Sequence, residues 1–306
     1  MKHSHTSIIG LLMLCPLILV FTPATGACAE PAMTFIYNTP ESARDTRNDY
    51  TWRILRTALE RTRNRYGDFV LKPSTGVMNE ARQIQEMTAR SSLINTMVLP
   101  VRSKLEPDLI PVRIPVERGL LGYRVLLIRA EEQSLFDKIK TLDELRTIRI
   151  GQGATWIDTK ILTDQGFRIV SGMTYEGLFN MLKYKRFDAF SRGVAEAAHE
   201  LKEWQSHIPN LAIEKRILLY YPMPAYFWFP NTVDGRMRAE RVKKGLTEMT
   251  ADGTMKKMFN QEYAPLLKQL NLAGRLLFRI PNSQLGTSEP LADTSLWFTP
   301  AELLGQ

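Results

Sequence analysis

At 306 residues, with 44% hydrophobic and 24% charged side chains, the chain has an ordinary globular composition and room for about two domains of ~100–200 residues each. Intrinsic disorder, a collagen-like fibre and a multi-span membrane protein are excluded. Lys and Arg number 40 against 32 Asp and Glu, a net charge of +8 that admits anionic ligands, acidic partners or a membrane surface without choosing among them. The basic residues are scattered, with no interleaved basic and aromatic motif, so no nucleic-acid partner is expected.

Residues 1–29 read as a secretory signal: Lys2, an apolar run from Ile8 to Phe21, then small residues ending Ala27-Cys28-Ala29. Cleavage after Ala29 removes both cysteines, Cys15 and Cys28, and leaves a mature chain with no disulfide, thiol nucleophile or cysteine-bound metal. The alternative is a cut before Cys28 with lipidation of that residue, although Thr25 stands where a lipoprotein signal usually carries Leu. The periplasm is the expected location.

Beyond residue 30, short apolar strands alternate with amphipathic helices, the pattern of α/β layering. Thr34–Tyr37 is a strand, Thr51–Tyr66 a helix that Gly67 is placed to end, Phe69–Lys72 a strand, Glu80–Ala89 a helix and Ile94–Leu99 a strand. Strands follow at Tyr123–Ile128, Ile148–Gly151, Arg168–Val170, Phe187–Phe190 and Ala225–Phe229. The helices among them are Leu142–Arg146, Asp158–Thr163, Tyr175–Tyr184, Val194–Trp204 and Gly235–Thr250. Asp252-Gly253-Thr254 predicts a turn with a new N-cap and a short helix Met255–Tyr263. The tail, with Pro281, Pro290 and Pro300, reads as a surface strap anchored by Trp297 and Phe298. No apolar run of about 18 residues follows the signal, so no membrane span is expected.

The run Gly119-Leu120-Leu121-Gly122-Tyr123-Arg124-Val125-Leu126-Leu127-Ile128-Arg129, then Thr141-Leu142-Asp143-Glu144-Leu145, then Arg149-Ile150-Gly151-Gln152-Gly153-Ala154-Thr155, resembles the periplasmic solute-binding proteins of family 3, the amino-acid-type receptors of ABC importers. Tyr184-Lys185-Arg186-Phe187-Asp188-Ala189-Phe190 is similar to the family's Gly-Arg-hydrophobic-Asp-Ala segment, and Met249-Thr250-Ala251-Asp252-Gly253-Thr254 to its Asp-Gly turn. The match runs over roughly residues 34 to 265. The resemblance implies the type II periplasmic-binding-protein fold: α/β, two-lobed, each lobe a central sheet flanked by helices, joined by two hinge strands that close on a ligand. Mapped onto this chain, lobe 1 is 30–118 plus 224–306 and lobe 2 is 119–222, with the hinge near Leu121-Gly122-Tyr123 and Tyr221-Pro222-Met223. Gly and Pro at those crossovers suit unusual backbone angles. The implied partners are a small-molecule ligand and the permease of an ABC importer in the inner membrane, or else a sensor kinase or cyclase. A monomer is expected, with no cofactor and no metal.

In Gly151-Gln152-Gly153-Ala154-Thr155-Trp156 a strand ends in a Gly-rich turn and opens a helix, pointing backbone N–H groups and the Thr155 hydroxyl at whatever fills the cleft. The plainer reading makes Thr155 a helix cap and Trp156 a packing residue. Arg192 stands in Ser191-Arg192-Gly193, near where family members that take α-amino acids commonly carry an Asp. A guanidinium cannot accept from an ammonium but can grip a carboxylate or phosphate, so an anionic ligand is expected unless Arg192 simply faces solvent. Arg102 lies a few residues early for the family's lobe 1 carboxylate clamp; the alternative reading makes it and Lys104 surface cations. Tyr37 could wall the cleft, Asp45 and Arg47 could reach it from the charged loop 38–50, and Arg124 either enters it or pairs with a carboxylate. Tyr221, near the hinge, is the one member of the aromatic stretch 218–229 admitted to the site.

Catalysis finds little support. His199 and His207 have no evident carboxylate or Cys partner in sequence, and no Gly-x-Ser-x-Gly, phosphate-loop, His-Glu-x-x-His or dinucleotide motif occurs. The readings carried forward are an importer receptor, a sensor subunit and, last, a dehydratase or lyase on the same scaffold.

Overall fold

A computed structural model of the chain describes Met1, residues 32–40 and residues 48–304. Beyond Met1, the segment expected to be a secretory signal lies outside the described residues, as do Asp45 and Arg47. Strand β1 is Met33–Tyr37, followed by helices α1 (Asp49–Arg61) and α2 (Arg63–Tyr66), β2 (Phe69–Pro73), α3 (Glu80–Thr88), β3 (Met97–Pro100) and β4 (Leu109–Val112). Then come β5 (Tyr123–Arg129), α4 (Gln133–Phe136), α5 (Leu142–Arg146), β6 (Arg149–Gly153), α6 (Ile157–Asp164), β7 (Arg168–Gly172), α7 (Tyr175–Lys183), β8 (Ala189–Gly193) and α8 (Val194–Trp204). The chain ends with β9 (Leu211–Ile213), β10 (Ile217–Tyr220), β11 (Ala225–Pro230), α9 (Val233–Ala251), α10 (Thr254–Gln269) and β12 (Leu276–Arg279).

The helix expected over 51–66 breaks at Thr62, whose hydroxyl bonds the carbonyls of Ala58 (3.1 Å) and Leu59 (3.0 Å) in place of a solvent contact. Gly67 ends the second piece with φ +71°, the left-handed region that favours glycine. The open carbonyls here are met by the fully buried Arg241 of α9, which donates to Leu59 O (3.3 Å), Gly67 O (2.8 Å) and Tyr66 O (3.3 Å). A cation at a helix C-terminus suits both the unpaired carbonyls and the helix dipole. The short helix expected over 255–263 is longer, reaching Gln269, and Gly253, not Thr254, is its N-cap.

Two groups of strands emerge. In the first, β1 and β2 pair in parallel, and β3 and β4 flank β11 antiparallel. Asn95 joins the two: its N–H donates to Ile36 O (3.0 Å), its Nδ2 to Thr34 O (3.0 Å), and its Oδ1 accepts from Ile36 N–H (2.8 Å). In the second, the strand order is β12-β10-β5-β8-β6-β7, with β9 also paired to β5. Every residue of β5 is buried, as a central strand covered on both faces requires. One apolar face of this sheet packs against α7 and α8, the other against residues such as Ile161 and Leu162 of α6.

The return segment does not stay with the first group, as the sequence led us to expect: β12 crosses to the larger sheet and pairs in parallel with β10. At the crossover, Tyr220 pairs with Tyr123 and Tyr221 N–H donates to Gly122 O (3.2 Å), so the two connecting segments run side by side. A Cβ on Gly122 would lie 2.3 Å from the Tyr221 carbonyl oxygen, so this close approach requires glycine. Strands β4, β9, β10 and β12 were not expected from the sequence as separate strands.

Candidate functional site

Strand β6 delivers the Gly-rich turn to one wall of a cleft. Ala154 N–H donates to Gly172 O (2.9 Å), Trp156 N–H to Gly153 O (3.0 Å), and the Thr159 hydroxyl to Gly153 O (2.7 Å), fixing the turn before α6 begins. A Cβ on Gly153 would meet the Trp156 indole at 2.4 Å, so the glycine lets the ring fold back over the strand end. The N-cap position of α6 is Trp156 and no side chain caps it, so the capping role read for Thr155 is corrected. The Thr155 side chain is exposed.

Facing this turn, the helical turn after β3 brings Arg102, Ser103 and Lys104 to the opposite wall. The cleft between them has a volume of about 430 Å³; Thr155, Trp156 and Lys160 line it from the α6 side and Gln284 of the C-terminal tail closes one edge. Arg102 pairs with Glu80, and Lys160 with Asp164 at 2.8 Å. Arg102, Thr155 and Trp156 are thus brought together. Lys160 and Gln284 escaped the sequence reading. Lys160 sits one helical turn beyond Trp156, so helical spacing could have found it; nothing in the sequence ties Gln284 to this place. Tyr37 lies apart from this group, stacked on Trp52 with ring centres 4.4 Å apart, and Trp52 in turn lies 6.2 Å from Phe227.

The other residues singled out from sequence turn inward. Gln152 is fully buried; its Nε2 donates to Ser191 O (3.2 Å), while its Oε1 and the Ser191 hydroxyl have no partner among the described residues. Arg192, expected either to grip an anion or to face solvent, does neither. Its Nε donates to both carboxylate oxygens of Glu200 (2.9 and 2.8 Å) and its Nη2 to Glu196 (3.0 Å), with the guanidinium 4.8 Å above the Trp156 ring. A guanidinium so occupied has no free fork for a ligand carboxylate. Arg124 is buried as well: its Nε donates to the Tyr221 hydroxyl (2.9 Å), Nη2 to Asp158 and Nη1 to Glu196 (3.3 Å). Tyr221 therefore belongs to the interior, not to the cleft.

Two arginines and three carboxylates make one chain of contacts, Tyr175–Glu200–Arg192–Glu196–Arg124–Asp158–Tyr221. Burial works against ionisation of Asp158, but Arg124 and the Tyr221 hydroxyl hold its carboxyl below the usual range. Glu196 is likewise held low, burial being overcome by Arg192 and Arg124. At Glu200 burial outweighs Arg192 and its pKa is raised. A carboxyl the sequence gave no reason to single out, Glu117, lies just before the crossover and accepts from the Tyr263 hydroxyl (3.1 Å). Burial raises its pKa to about 7, opposed by that hydrogen bond and assisted by Glu196 and Glu262.

No family model matches the chain, and no curated protein does. Solved structures do. An ancestral arginine-binding protein bound to glutamine matches 76% of this chain and 99% of its own at 14% identity, TM-score 0.54. A Salmonella typhimurium periplasmic binding protein with high arginine specificity matches 76% of this chain and 100% of its own at 15% identity, TM-score 0.52. The periplasmic VFT2 domain of Bordetella pertussis BvgS matches 76% of this chain and 93% of its own at 14% identity, TM-score 0.53. The fold is therefore the two-lobed α/β fold of the type II periplasmic binding proteins, as the resemblance implied. Among the described residues no helix is long and apolar enough to cross a membrane.

Proposed function

We propose that the chain is an exported ligand-binding receptor whose lobes close on a small anionic solute, released unaltered, and that the closed form docks on the permease of an importer. The observation that carries this reading is the cleft itself. Three cationic side chains, Arg102, Lys104 and Lys160, line it beside the Thr155 hydroxyl and the Trp156 indole, with Glu80 paired to Arg102 and Asp164 to Lys160. Arg102 comes from the turn after β3 and Lys160 from α6, so an anion between them draws the two walls together, and differential affinity for the closed form shifts the population. The ligands named for the amino-acid-binding neighbours, arginine and glutamine, mark amino-acid-like molecules as the size class. A second reading, a sensing module that passes closure to a membrane signalling protein, is supported by the likeness to the BvgS domain.

A thermal-shift screen over dicarboxylates, acidic amino acids, phosphate monoesters and basic amino acids tests the proposal, because a ligand at 100 times its Kd stabilises the native chain by about 2.7 kcal/mol. An anionic compound is expected to raise the melting temperature, and Lys160→Ala and Thr155→Val to weaken that shift without altering the melt of the free protein by more than ~0.5 kcal/mol. A response confined to cationic amino acids overturns the ligand class; no response to any compound overturns the receptor.

A further inference from the structure

After β12 the chain does not end but runs back over both groups of strands. Ile280 N–H donates to Tyr220 O (2.9 Å), and the buried Asn282 donates through Nδ2 to Pro222 O (2.8 Å) at the crossover. The next residue, Ser283, donates its hydroxyl to Asp164 at the end of α6, on one wall of the cleft. Gln284 lines the cleft edge. Leu285 packs on the core of the other wall, formed by Met97, Tyr226 and Trp228 among others. The tail is held further along by Tyr226 on Glu289, by Trp297 laid on Gly119, and by Phe298, whose N–H donates to Arg118 O (2.7 Å) and whose carbonyl accepts from the Tyr123 hydroxyl (3.2 Å). Arg118 closes the end with two bonds to Glu302 (3.0 and 3.1 Å).

We infer that this C-terminal strap is a tether that limits how far the cleft can open. Ser283 is fastened to the α6 wall through Asp164 and Leu285 is packed into the core of the opposite wall, so two residue steps bridge the edge of the cleft. Fully extended, two residues span at most about 7 Å. The walls at that edge cannot separate further while both attachments hold, whatever the ligand is, so the inference does not depend on the ligand class proposed above.

The test measures inter-lobe distances by electron-electron double resonance without ligand. Spin labels are placed at the exposed Val77→Cys and Met173→Cys in full-length protein carrying Cys15→Ser and Cys28→Ser. Inserting Gly-Ser-Gly-Ser between Ser283 and Gln284 keeps every anchor and adds about 13 Å of slack. The parent is expected to give one narrow distance distribution and the insertion variant an added population at longer distance. Should the insertion fail to fold, Ser283→Ala, which removes the clasp to Asp164 and a bond accepted from the neighbouring Gln284 (3.0 Å), carries the same expectation. Superimposable distributions in parent and folded variant overturn the tether, as does a parent that already samples the longer distances.

Discussion

Arg192 illustrates how a side chain can sit at the strand end where ligands bind and still be structural. Its charge is neutralised by Glu196 and Glu200, which follow it at i+4 and i+8 and form the inner face of α8. Removing one partner of a buried ion pair costs ~3–5 kcal/mol because the other charge is left unpaired. Arg192→Ala should therefore lower stability by about 3 kcal/mol in urea melts, toward the low end because Glu200 can take up a proton. Any ligand-induced thermal shift should survive in the folded fraction, and Glu200→Gln in the same chain should restore part of the loss. A variant of normal stability that has lost only ligand binding would return Arg192 to the cleft. Glu117 makes a second case. Its folded pKa of about 7 lies above the ordinary carboxylate value, so the folded chain binds more protons than the unfolded one between those two pH values. The stability it confers is fully present below the unfolded pKa and is lost as pH rises through about 7. One pKa unit corresponds to 1.36 kcal/mol, and the carboxyl is only half-buried, so about 2 kcal/mol is at stake after allowance for solvent screening. Between pH 5 and pH 8 the parent should lose that amount relative to Glu117→Gln, which keeps the oxygen that accepts from Tyr263. Parallel stability curves for the two proteins would contradict the assignment.

At the scale of elements, what the sequence disclosed follows from how strongly each segment is patterned. The wholly buried β5 and the aromatic β11 stand out because continuous apolar runs have no other stable place. Of the strands that escaped notice, β10 is an apolar run that merges in sequence with the aromatic stretch leading to β11, and the other three lack that signal. Strand β4 contains Pro111, which argues against an interior strand and is tolerated because β4 lies at the edge of its sheet. Strand β9 has three residues, and β12, also at an edge, is half exposed. The break between α1 and α2 depends on Arg241, distant in sequence, arriving to take up the freed carbonyls. The site divides in the same way. Thr155 and Trp156 were legible from a local strand-turn-helix pattern. The inward course of Arg124 was not, because its partners Asp158 and Tyr221 come from other elements. For Arg192 the signal was present in the Glu196 and Glu200 spacing, where a helix turns two carboxylates back toward the strand end.

For the whole molecule the consequence lies in how the cores connect. One continuous apolar cluster includes Phe35, Ile54 and Leu59 beside β1 and α1, and also Leu178, Phe187 and Phe190 against the larger sheet. The link runs through α8 against α10, through Leu120 and Tyr123 at the crossover, and through Phe298 of the strap, which packs 5.2 Å from Phe259 and 5.7 Å from Tyr123. Two lobes with separate cores would unfold in two steps, each with its own enthalpy, as larger chains often do. A shared cluster makes the loss of one lobe expose the apolar face of the other. The chain should therefore give a single calorimetric transition whose van't Hoff and calorimetric enthalpies agree. Phe298→Ala, which removes a buried aromatic at the junction at a cost of ~3–5 kcal/mol, should shift the transition down and broaden or split it. Two resolved transitions in the parent would mean that the lobes fold independently, and a Phe298→Ala melt that moves down without broadening would mean that the strap contributes packing alone.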